Sequence, residues 1–334
     1  MAKTRGAPQV TEVRLSRAQL IVFLGEMLLI RRFEEMVEER FRAGELPGFL
    51  HVCIGQEAVA VGVCSALADG DVIGSTHRAH GHVIANGTPA REVMAELYGK
   101  REGCSHGYGG SMHLYDVARG TMGANAVVGG GLPGMAGAAL AFQLRHEPRV
   151  AVAFFGDGAT NIGTFHESLN LAQLWRLPVV FVCENNRWSE STPQSQHQPT
   201  SDLTARAAAF GMHALHVDGQ DVEEVHLAAL DALAYARSGQ GPVFLLCETE
   251  RLTGHYVGDA QIYRDKEELR RLRETRDPIQ NLRERLGPEV GEQDWERLDA
   301  EARQVVAEAV AFAKAGSDPK PEHALLNIYV EQER

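Results

Sequence analysis

Apolar positions along the chain follow two patterns, one typical of helices and one typical of buried strands. Over residues 16–42 they recur at spacings of three and four, which predicts a long helix capped by Ser16. Further along, the segments 149–155, 178–183 and 242–247 are apolar at almost every position. Such runs alternate with helical segments, so the sequence predicts a parallel sheet with helices packed on both faces.

The same patterns predict the remaining elements and a division of the chain. The expected helices and strands are helices over 56–68, 89–98, 159–175, 202–210 and 221–238, and strands over 72–75 and 213–217. We expect a flexible N-terminal tail over 1–15, an α/β domain over 16–264 and a charged, helical C-terminal extension over 265–334 that offers an interaction surface.

Residues 99–137 are rich in glycine, and we predict no regular secondary structure there. A flexible linker is the plain interpretation. However, apolar residues such as Met112, Leu114 and Val127 lie between the glycines, and a solvated linker would lack them. We therefore expect this segment to form a wall of exposed backbone around a ligand.

Composition excludes several classes of protein. The 334 residues include 33 Lys and Arg against 45 Asp and Glu, and the net charge of −12 argues against a general binder of nucleic acid or acidic membranes. No apolar run reaches the roughly 18 residues that a membrane span needs. The five cysteines are widely spaced and form no CxxC pair, so we expect free thiols in a reducing cytoplasm.

Candidate chemistry lies directly after two of the predicted strands. Gly156, Asp157 and Gly158 follow the first, and Asn186 follows the second, 29 positions after Asp157. Because consecutive parallel strands end at the same sheet edge, these side chains should lie close together. A carboxylate and an amide oxygen suit Mg²⁺, which keeps other positions for phosphate oxygens. The glycines would admit a phosphate, and a helix starting near Ala159 would aim free N–H groups at it.

A dinucleotide site is the competing interpretation. The glycines at 156, 158 and 163 miss the GxGxxG spacing. Asp157 between the first two would also repel a pyrophosphate unless a metal intervened. The pattern favours a metal-bound diphosphate, and an NAD-dependent dehydrogenase stays as the alternative.

Longer stretches of the sequence resemble a known family. The segment GDGATNIGTFHESLNLAQLWRLPVVFVCENN is similar to the thiamine-diphosphate motif in the α subunits of 2-oxo-acid and acetoin dehydrogenase E1 components. The resemblance covers about residues 20–330 and continues, in family order, in FLHVCIGQEAVAVGV (49–63), STHRAHGH (75–82), GGSMHLYD (109–116) and RLTGHYVGD (251–259). It implies a thiamin-diphosphate-binding α/β fold over 16–264, with helical N- and C-terminal extensions.

The resemblance also implies thiamine diphosphate and Mg²⁺ as cofactors. In the family, the metal ligands lie at positions that match Asp157, Asn186 and, through its backbone carbonyl, Trp188. The arginines that bind the diphosphate match Arg78 and Arg251. A planar, bidentate cation suits phosphate oxygens, which gives these matches a physical reason.

Four further matches lie nearer the reacting carbon in the family. His255 corresponds to the active-site histidine and His51 to a residue of the substrate pocket, so both are candidates for proton transfer. His77 stands where many pyruvate-type members carry Tyr and acetoin-type members often carry His. Val128 matches the apolar residue that props the cofactor in its bent conformation.

At two places the sequence departs from the family pattern, and each departure removes a feature that the family would otherwise imply. The segment 106–113 lacks both lysines of the family's KGKGGSMH, which removes any anion contact they would make. Tyr256 follows His255 where animal pyruvate enzymes carry a regulatory serine. Control by phosphorylation at that position is therefore not expected.

The carboxylate that promotes ionisation of the cofactor has no convincing counterpart in the sequence. Glu57, Glu167 and Glu184 are the candidates within the chain. In the family this glutamate comes from the β subunit. We therefore expect an α₂β₂ heterotetramer and an inactive lone chain.

The expected function is that of an E1 α subunit that cleaves acetoin or decarboxylates pyruvate and transfers the acetyl unit to lipoamide on an E2 acyltransferase. His77 and the segment ENNRWSESTP favour acetoin slightly over pyruvate. The alternatives are a branched-chain 2-oxo acid E1 α subunit, a thiamine-fold subunit without catalysis and, least favoured, an NAD-dependent dehydrogenase. No nucleic-acid or membrane partner is expected.

Overall fold

A computed structural model describes residues 14–287 and 290–322. The predicted tail over 1–15 therefore lies outside the described residues, apart from its last two positions. Within the described ranges, six strands form one parallel sheet and two short strands form an antiparallel hairpin. The sheet strands are β1 Val72–Thr76, β2 Thr121–Asn125, β3 Ala151–Gly156, β4 Val179–Asn185, β7 His213–Asp218 and β8 Val243–Glu248, and the hairpin strands are β5 Trp188–Ser189 and β6 Thr192–Pro193.

Twelve α-helices lie in this part of the chain. They are α1 Arg17–Arg42, α2 Glu57–Cys64, α3 His80–Ala85, α4 Ala90–Leu97, α5 Gly131–Leu144, α6 Gly163–Trp175, α7 Gln194–His197, α8 Thr204–Ala208, α9 Val222–Arg237, α10 Lys266–Thr275, α11 Pro278–Leu286 and α12 Glu292–Ala315. The predicted α/β class, with a parallel sheet flanked by helices, is confirmed.

The strand order is β2-β1-β3-β4-β8-β7, and all neighbouring strands are parallel. From the central pair β1 and β3, the order runs to β2 on one side and to β4 on the other. In open α/β sheets, ligands bind at the carboxyl edge where the order reverses in this way. The topology therefore predicts a ligand-binding site at the carboxyl ends of β1 and β3.

Apolar side chains cover both faces of the sheet, which explains the continuous apolar runs in the sequence. Successive residues of β3, β4 and β8 point to opposite faces and are almost all buried. Phe155 and Phe244 pack with helices α5 and α6 on one face. Val152 and Leu245 pack with α2 and α9 on the other.

A separate hydrophobic core joins helices α1 and α12, which lie near opposite ends of the described part of the chain. Helix α1 begins after Ser16, which caps it as the sequence predicts, and the structure adds a reciprocal capping box with Gln19. Helix α12 packs against α1 and α4 and buries Val306 and Ala309 in this core. The C-terminal extension is therefore helical where it is described, and the apolar face of α12 is covered by the chain itself. Residues 323–334 lie outside the described ranges.

Three predicted helices are longer than the observed ones. The helix over 56–68 ends at Cys64, where the Ser65 hydroxyl turns back to donate to a carbonyl of the last turn. The helix expected from about Ala159 begins at Gly163. A 3₁₀ turn at Asp157–Asn161 comes first, because Thr160 donates to the Asp157 carbonyl. The helix over 202–210 shortens to α8.

The prediction of no regular structure across 99–137 is wrong for its second half, which holds β2 and the start of α5. Packing overrides the poor helix propensity of glycine here. A Cβ on Gly74 of β1 would lie 2.5 Å from the Met135 sulfur of α5, so the helix and strand meet closely at this glycine. The predicted wall nevertheless exists, since residues 125–129 and 131–132 line a cavity described below.

The first half of the glycine-rich segment is wrapped around one buried carboxylate. Glu96 of α4 accepts hydrogen bonds from the backbone N–H groups of Ser105, Gly107, Gly109 and Gly110 at 2.8–3.0 Å. The Glu96 side chain is fully buried. It therefore supplies the fixed acceptor that a chain segment without regular structure needs.

Asp71 performs a similar role at the amino edge of the sheet, just before β1. Its carboxylate receives two hydrogen bonds from Arg237 at 2.7 and 2.9 Å, and one each from the N–H groups of Val150 and Ala68. These bonds hold together α9, the start of β3 and the turn before β1. At this edge of the sheet, the buried Asp71 carboxylate is therefore fully paired within the protein.

No helix in the described ranges is both long and apolar enough to cross a membrane. The five cysteines are free thiols, of which four are buried and Cys104 is half-buried. Burial raises the pKa of Cys53 well above its usual range, which fits a packing role for this residue rather than a nucleophilic one.

Candidate functional site

A cavity of about 340 Å³ opens at the carboxyl edge of the sheet. Residues that follow β1, β2, β3, β4 and β8 form its walls, at the point that the strand order marks. All twelve residues that the sequence proposes for the site line this one cavity: His51, His77, Arg78, Val128, Gly156, Asp157, Gly158, Ala159, Asn186, Trp188, Arg251 and His255. The volume lies in the range of small-molecule sites.

Asp157 and Asn186 leave neighbouring strands side by side, because Gly156 of β3 pairs in register with Glu184 of β4. Asp157 is buried, and its Oδ2 has no hydrogen-bond partner in the described structure. Its nearest cation-capable neighbour is His197, whose Nε2 lies 3.3 Å away without hydrogen-bond geometry. A buried, unpartnered carboxylate oxygen is costly, so this atom fits a metal ligand.

The side chain of Asn186 is oriented by two neighbours. Its Oδ1 accepts from the backbone N–H of Trp188 at 3.1 Å, and its Nδ2 donates to Gln56 at 3.1 Å. The preceding Asn185 points elsewhere and donates to Glu248. Only the second asparagine of the pair therefore lines the cavity.

Gln56 and Glu184 belong to a buried polar chain that the sequence analysis missed. Gln56 donates to Glu184 at 3.0 Å, and the Nε2 of His82 lies 3.4 Å from the same carboxylate oxygen. His82 in turn hydrogen-bonds Ser75 at 2.8 Å. All four residues occur in the segments that carry the family resemblance. That resemblance was the one feature of the sequence that could have indicated their place in the site.

The two glycines beside Asp157 differ in what they permit. A Cβ on Gly158 would lie 2.6 Å from the Ser189 hydroxyl, so only glycine fits between the 3₁₀ turn and the β5–β6 hairpin. A Cβ on Gly156 would meet nothing closer than 3.9 Å. Packing against Ser189 therefore requires glycine at position 158, and no comparable contact requires it at position 156.

Arg78 and Arg251 are buried cations without a carboxylate partner among the described residues. Arg78 donates to the carbonyls of Val52 and His255, and Arg251 donates to the Glu190 carbonyl and to the Tyr263 hydroxyl. Burial, and then repulsion from Arg78, lowers the pKa of Arg251 to about 10. Two buried, mutually repelling cations in one cavity fit a site for a multivalent anion.

Three histidines form one wall of the cavity. The rings of His51, His77 and His255 lie 4.6–5.5 Å apart, centre to centre. Burial, followed by the charge of Arg78, lowers their pKa values to about 3, 2 and 4 respectively. The three imidazoles are therefore neutral near pH 7 and can each donate or accept a hydrogen bond.

A short clamp holds the loop that carries His255. Asp259 accepts from the backbone N–H of His255 at 2.8 Å and from the hydroxyl of Tyr263. Tyr263 in turn accepts from Arg251. This clamp, which sequence reasoning did not identify, fixes the proposed anion-binding arginine and the proposed catalytic histidine relative to each other.

The HxxHxH spacing of His77, His80 and His82 does not form a metal site, since the three side chains have different partners. His77 lines the cavity, and His82 lies beside Glu184. His80 is buried between Glu34 at 2.7 Å and Ser111 at 2.8 Å. The Glu34–His80–Ser111 chain ties α1 to the glycine-rich segment next to the cavity residue Met112.

The three glutamates considered as activating carboxylates have different surroundings. Glu57 is buried in an ion pair with Arg31, and Glu167 is exposed on α6. Glu184 lines the cavity, but one of its oxygens already accepts from Gln56. Among these three, Glu184 alone reaches the site, and it is engaged there.

The donor set therefore fits a divalent metal with a diphosphate. A free buried carboxylate oxygen, an adjacent amide oxygen and two unpaired buried arginines share one cavity with a glycine that admits close backbone approach. Hard oxygen ligands suit Mg²⁺, and the arginines suit phosphate oxygens.

Comparison with known proteins identifies the family of the chain. The family model described as "Dehydrogenase E1 component" matches residues 25–322. The chain is 45% identical over 309 residues to the α subunit of acetoin:2,6-dichlorophenolindophenol oxidoreductase from Bacillus subtilis, covering 92% of this chain and 93% of the relative. It is 42% identical over 328 residues to the subunit of the same name from Cupriavidus necator, covering 98% of each. It is also 42% identical to the pyruvate dehydrogenase E1 component α subunit of Rhizobium meliloti, covering 89% of this chain and 85% of the relative.

Proposed function

Because the chain belongs to the dehydrogenase E1 component family, as an E1 α subunit of the acetoin and pyruvate dehydrogenase type, we propose that it cleaves acetoin or decarboxylates pyruvate with thiamine diphosphate and Mg²⁺. The acetyl unit would pass to lipoamide on an E2 acyltransferase. The observation that carries this proposal is the unpartnered, buried Asp157 carboxylate in the same cavity as two unpaired arginines.

Each cofactor group has a set of residues to hold it. Asp157, Asn186 and the carbonyl of Trp188 would bind Mg²⁺, and Arg78 with Arg251 would bind the diphosphate. The backbone at Gly156, Gly158 and Ala159 would lie against the phosphates, and His77 and Val128 would contact the organic part of the cofactor. When bound, the cofactor supplies an acidic carbon and an electron sink for cleavage of a C–C bond.

His51 and His255 are the proposed proton-transfer residues. Their lowered pKa values keep both rings neutral at pH 7, so a ring N–H is available to the oxygen of a substrate carbonyl or hydroxyl. The backbone hydrogen bond to Asp259 holds His255 in place for this task. The neutral rings also avoid adding a third charge beside the two arginines.

The charge distribution supports acetoin ahead of pyruvate. In the part of the cavity that the structure describes, the cations are Arg78 and Arg251, which the diphosphate would occupy. The two histidine rings beside His51, those of His77 and His255, are neutral near pH 7, and they suit an uncharged hydroxyketone better than a carboxylate. Turnover of acetoin and of pyruvate, each with 2,6-dichlorophenolindophenol as electron acceptor, tests this order. A higher kcat/KM for pyruvate would reverse it.

A β subunit is the proposed source of the activating carboxylate. The engaged state of Glu184 and the positions of Glu57 and Glu167 support this view, as do the α-subunit names of the relatives. We propose an α₂β₂ heterotetramer in the cytoplasm, where the five free thiols would stay reduced.

The decisive experiment compares the purified chain with the same chain co-produced with a β subunit. Calorimetry with thiamine diphosphate, with and without Mg²⁺, measures cofactor binding, and dye reduction measures turnover. We expect Mg²⁺-dependent binding and turnover in the complex and no turnover by the lone chain. Full activity of the lone chain would refute the shared site. Absence of cofactor binding in the complex would instead identify a subunit without catalysis.

A further inference from the structure

Gln56 occupies a position that the roles above leave unexplained, between Asn186 and Glu184. We propose that Gln56 is a positioning residue that turns the amide oxygen of Asn186 toward the metal site, and that Glu184 fixes the orientation of Gln56. This inference rests on the proposed function, because it takes Asn186 as a ligand of Mg²⁺.

The orientation follows from donor and acceptor chemistry. The carboxylate oxygen Oε1 of Glu184 accepts a hydrogen bond from the NH₂ group of Gln56 at 3.0 Å. The amide oxygen of Gln56 must then face Asn186, and it accepts from Asn186 Nδ2 at 3.1 Å. Asn186 therefore has its own oxygen on the other side, where the N–H of Trp188 donates to it.

Because the three side chains are buried, the reversed orientations of these amides are unfavourable. Gln56 and Glu184 are 2% and 3% exposed, and Asn186 is 8% exposed. Water therefore has little access to an amide turned the wrong way, and a reversed amide would leave donors facing donors. His82, 3.4 Å from the same Glu184 oxygen and hydrogen-bonded to Ser75, holds the far end of the chain.

Loss of Gln56 should weaken metal binding through the orientation of Asn186. Without Gln56, the Trp188 N–H alone orients the Asn186 amide, so a larger share of molecules would present the NH₂ group, which cannot bind a cation. Partners behind metal ligands typically contribute about 10–100-fold to metal affinity. We expect Gln56→Leu to weaken metal binding within that range.

The test measures Mn²⁺ binding, in place of Mg²⁺, to the assembled complex in the presence of thiamine diphosphate, by the electron paramagnetic resonance signal of free Mn²⁺. Gln220→Leu is the matched control. Gln220 is 2% exposed, donates to the Arg276 carbonyl and accepts from Thr249, and it does not line the cavity. We expect both variants to lower the melting temperature and only Gln56→Leu to raise the Kd for Mn²⁺.

A polarity swap separates orientation from packing. In the double variant Gln56→Glu with Glu184→Gln, residue 184 becomes the donor and residue 56 still accepts from Asn186, so the Kd for Mn²⁺ should return to near the value of the unmodified complex. Glu184→Gln alone keeps the shape of the side chain but replaces one acceptor oxygen with an NH₂ donor, so residue 184 no longer holds Gln56 in a single orientation. It should raise the Kd about 10-fold, at the lower end of the same range, and this variant keeps the test decisive if Gln56→Leu does not fold.

The outcomes distinguish this inference from the function beneath it. An unmodified complex that binds neither Mn²⁺ nor thiamine diphosphate would overturn both proposals. An unmodified complex that binds Mn²⁺, with unchanged affinity in Gln56→Leu and Glu184→Gln, would overturn the role of Gln56 and leave the cofactor site intact.

Discussion

Asp71 and Asp157 are two buried aspartates at opposite edges of one sheet, and their surroundings differ completely. Asp71, before β1, receives four hydrogen bonds, two of them from Arg237. Asp157, after β3, has an oxygen without any hydrogen-bond partner in the described structure. Asp71 therefore holds parts of the fold together, whereas Asp157 keeps an oxygen available for the metal ion proposed above.

The contrast extends to the neighbours of each residue. At the amino edge, the cation Arg237 has its carboxylate. At the carboxyl edge, Arg78 and Arg251 have only carbonyl and hydroxyl partners among the described residues. Unpaired buried charge of both signs in one cavity indicates a function, because it is unfavourable for the unliganded fold. The following predictions test this division, from the largest expected effect to the smallest.

Asp157→Asn should abolish most of the activity without weakening the fold. The change removes a proposed metal ligand, so we expect cofactor affinity and kcat/KM to fall by at least about 100-fold, more than the loss of an outer partner costs. The melting temperature without cofactor should stay equal or rise, because an unpartnered buried charge is removed. Retained cofactor affinity would contradict the assignment of Asp157, as would a large loss of stability.

Asp71→Asn should have the opposite profile. It breaks the bidentate contact with Arg237 and weakens two backbone hydrogen bonds, and the remaining Arg237 side chain is 27% exposed. We expect a loss of about 2–4 kcal/mol in the free energy of unfolding, measured with urea, and normal kcat in the folded enzyme.

Asp218→Asn is the control for that experiment. Asp218 also pairs with an arginine, Arg276, but its side chain is 40% exposed. Solvent screens such a pair, so its loss should cost less than about 1 kcal/mol. Equal losses in the two variants would show that burial does not distinguish the two pairs.

Glu96→Gln should loosen the first half of the glycine-rich segment. The amide group would face two of the four backbone N–H groups that the carboxylate now accepts, which should destabilise the segment by about 1–3 kcal/mol. Hydrogen exchange at Ser105, Gly107, Gly109 and Gly110 measures this directly. Glu92→Gln on the same helix, where Glu92 pairs with Arg119 at the surface, should leave that exchange unchanged.

The last prediction concerns the dependence of stability on pH. The folded-state pKa values of His51, His77 and His255 are lowered, so the unfolded chain binds more protons below about pH 6.5. Stability from this cluster is complete above that pH and decreases as pH falls toward about 4. The melting temperature should drop from pH 7.5 to 5, and His77→Asn should reduce the drop. The exposed His213→Asn should not; an equal reduction in both variants would contradict this account.

The sheet and the composition of the site were predictable because their signals are local or follow from topology. Continuous apolar runs identify strands that are buried on both faces. Residues after parallel strands meet at one edge, which brings Asp157 and Asn186 together. The arginines and histidines were found by family resemblance and not by spacing.

The missed features depend on partners that are far apart in the sequence. Gln56 and Glu184 are separated by 128 positions, so no local pattern indicates their hydrogen bond. Helix α5 forms despite Gly131, Gly134 and Gly137 because it packs closely on β1, an effect that propensity alone does not capture. In the 3₁₀ turn after β3, the Asp157 carbonyl accepts from the nearby Thr160 and also from a distant donor, Gln198, which no local pattern indicates.

The convergence of loops from five strands on one cavity has a consequence for engineering. Since Asp71 and its partners hold the opposite edge of the sheet, cavity-lining side chains such as Phe49, Met112 and Val127 can be exchanged without changing the hydrogen bonds that stabilise that edge. Mutant libraries that aim at new substrates should therefore vary residues in these loops, because the sheet that supports the loops is stabilised elsewhere.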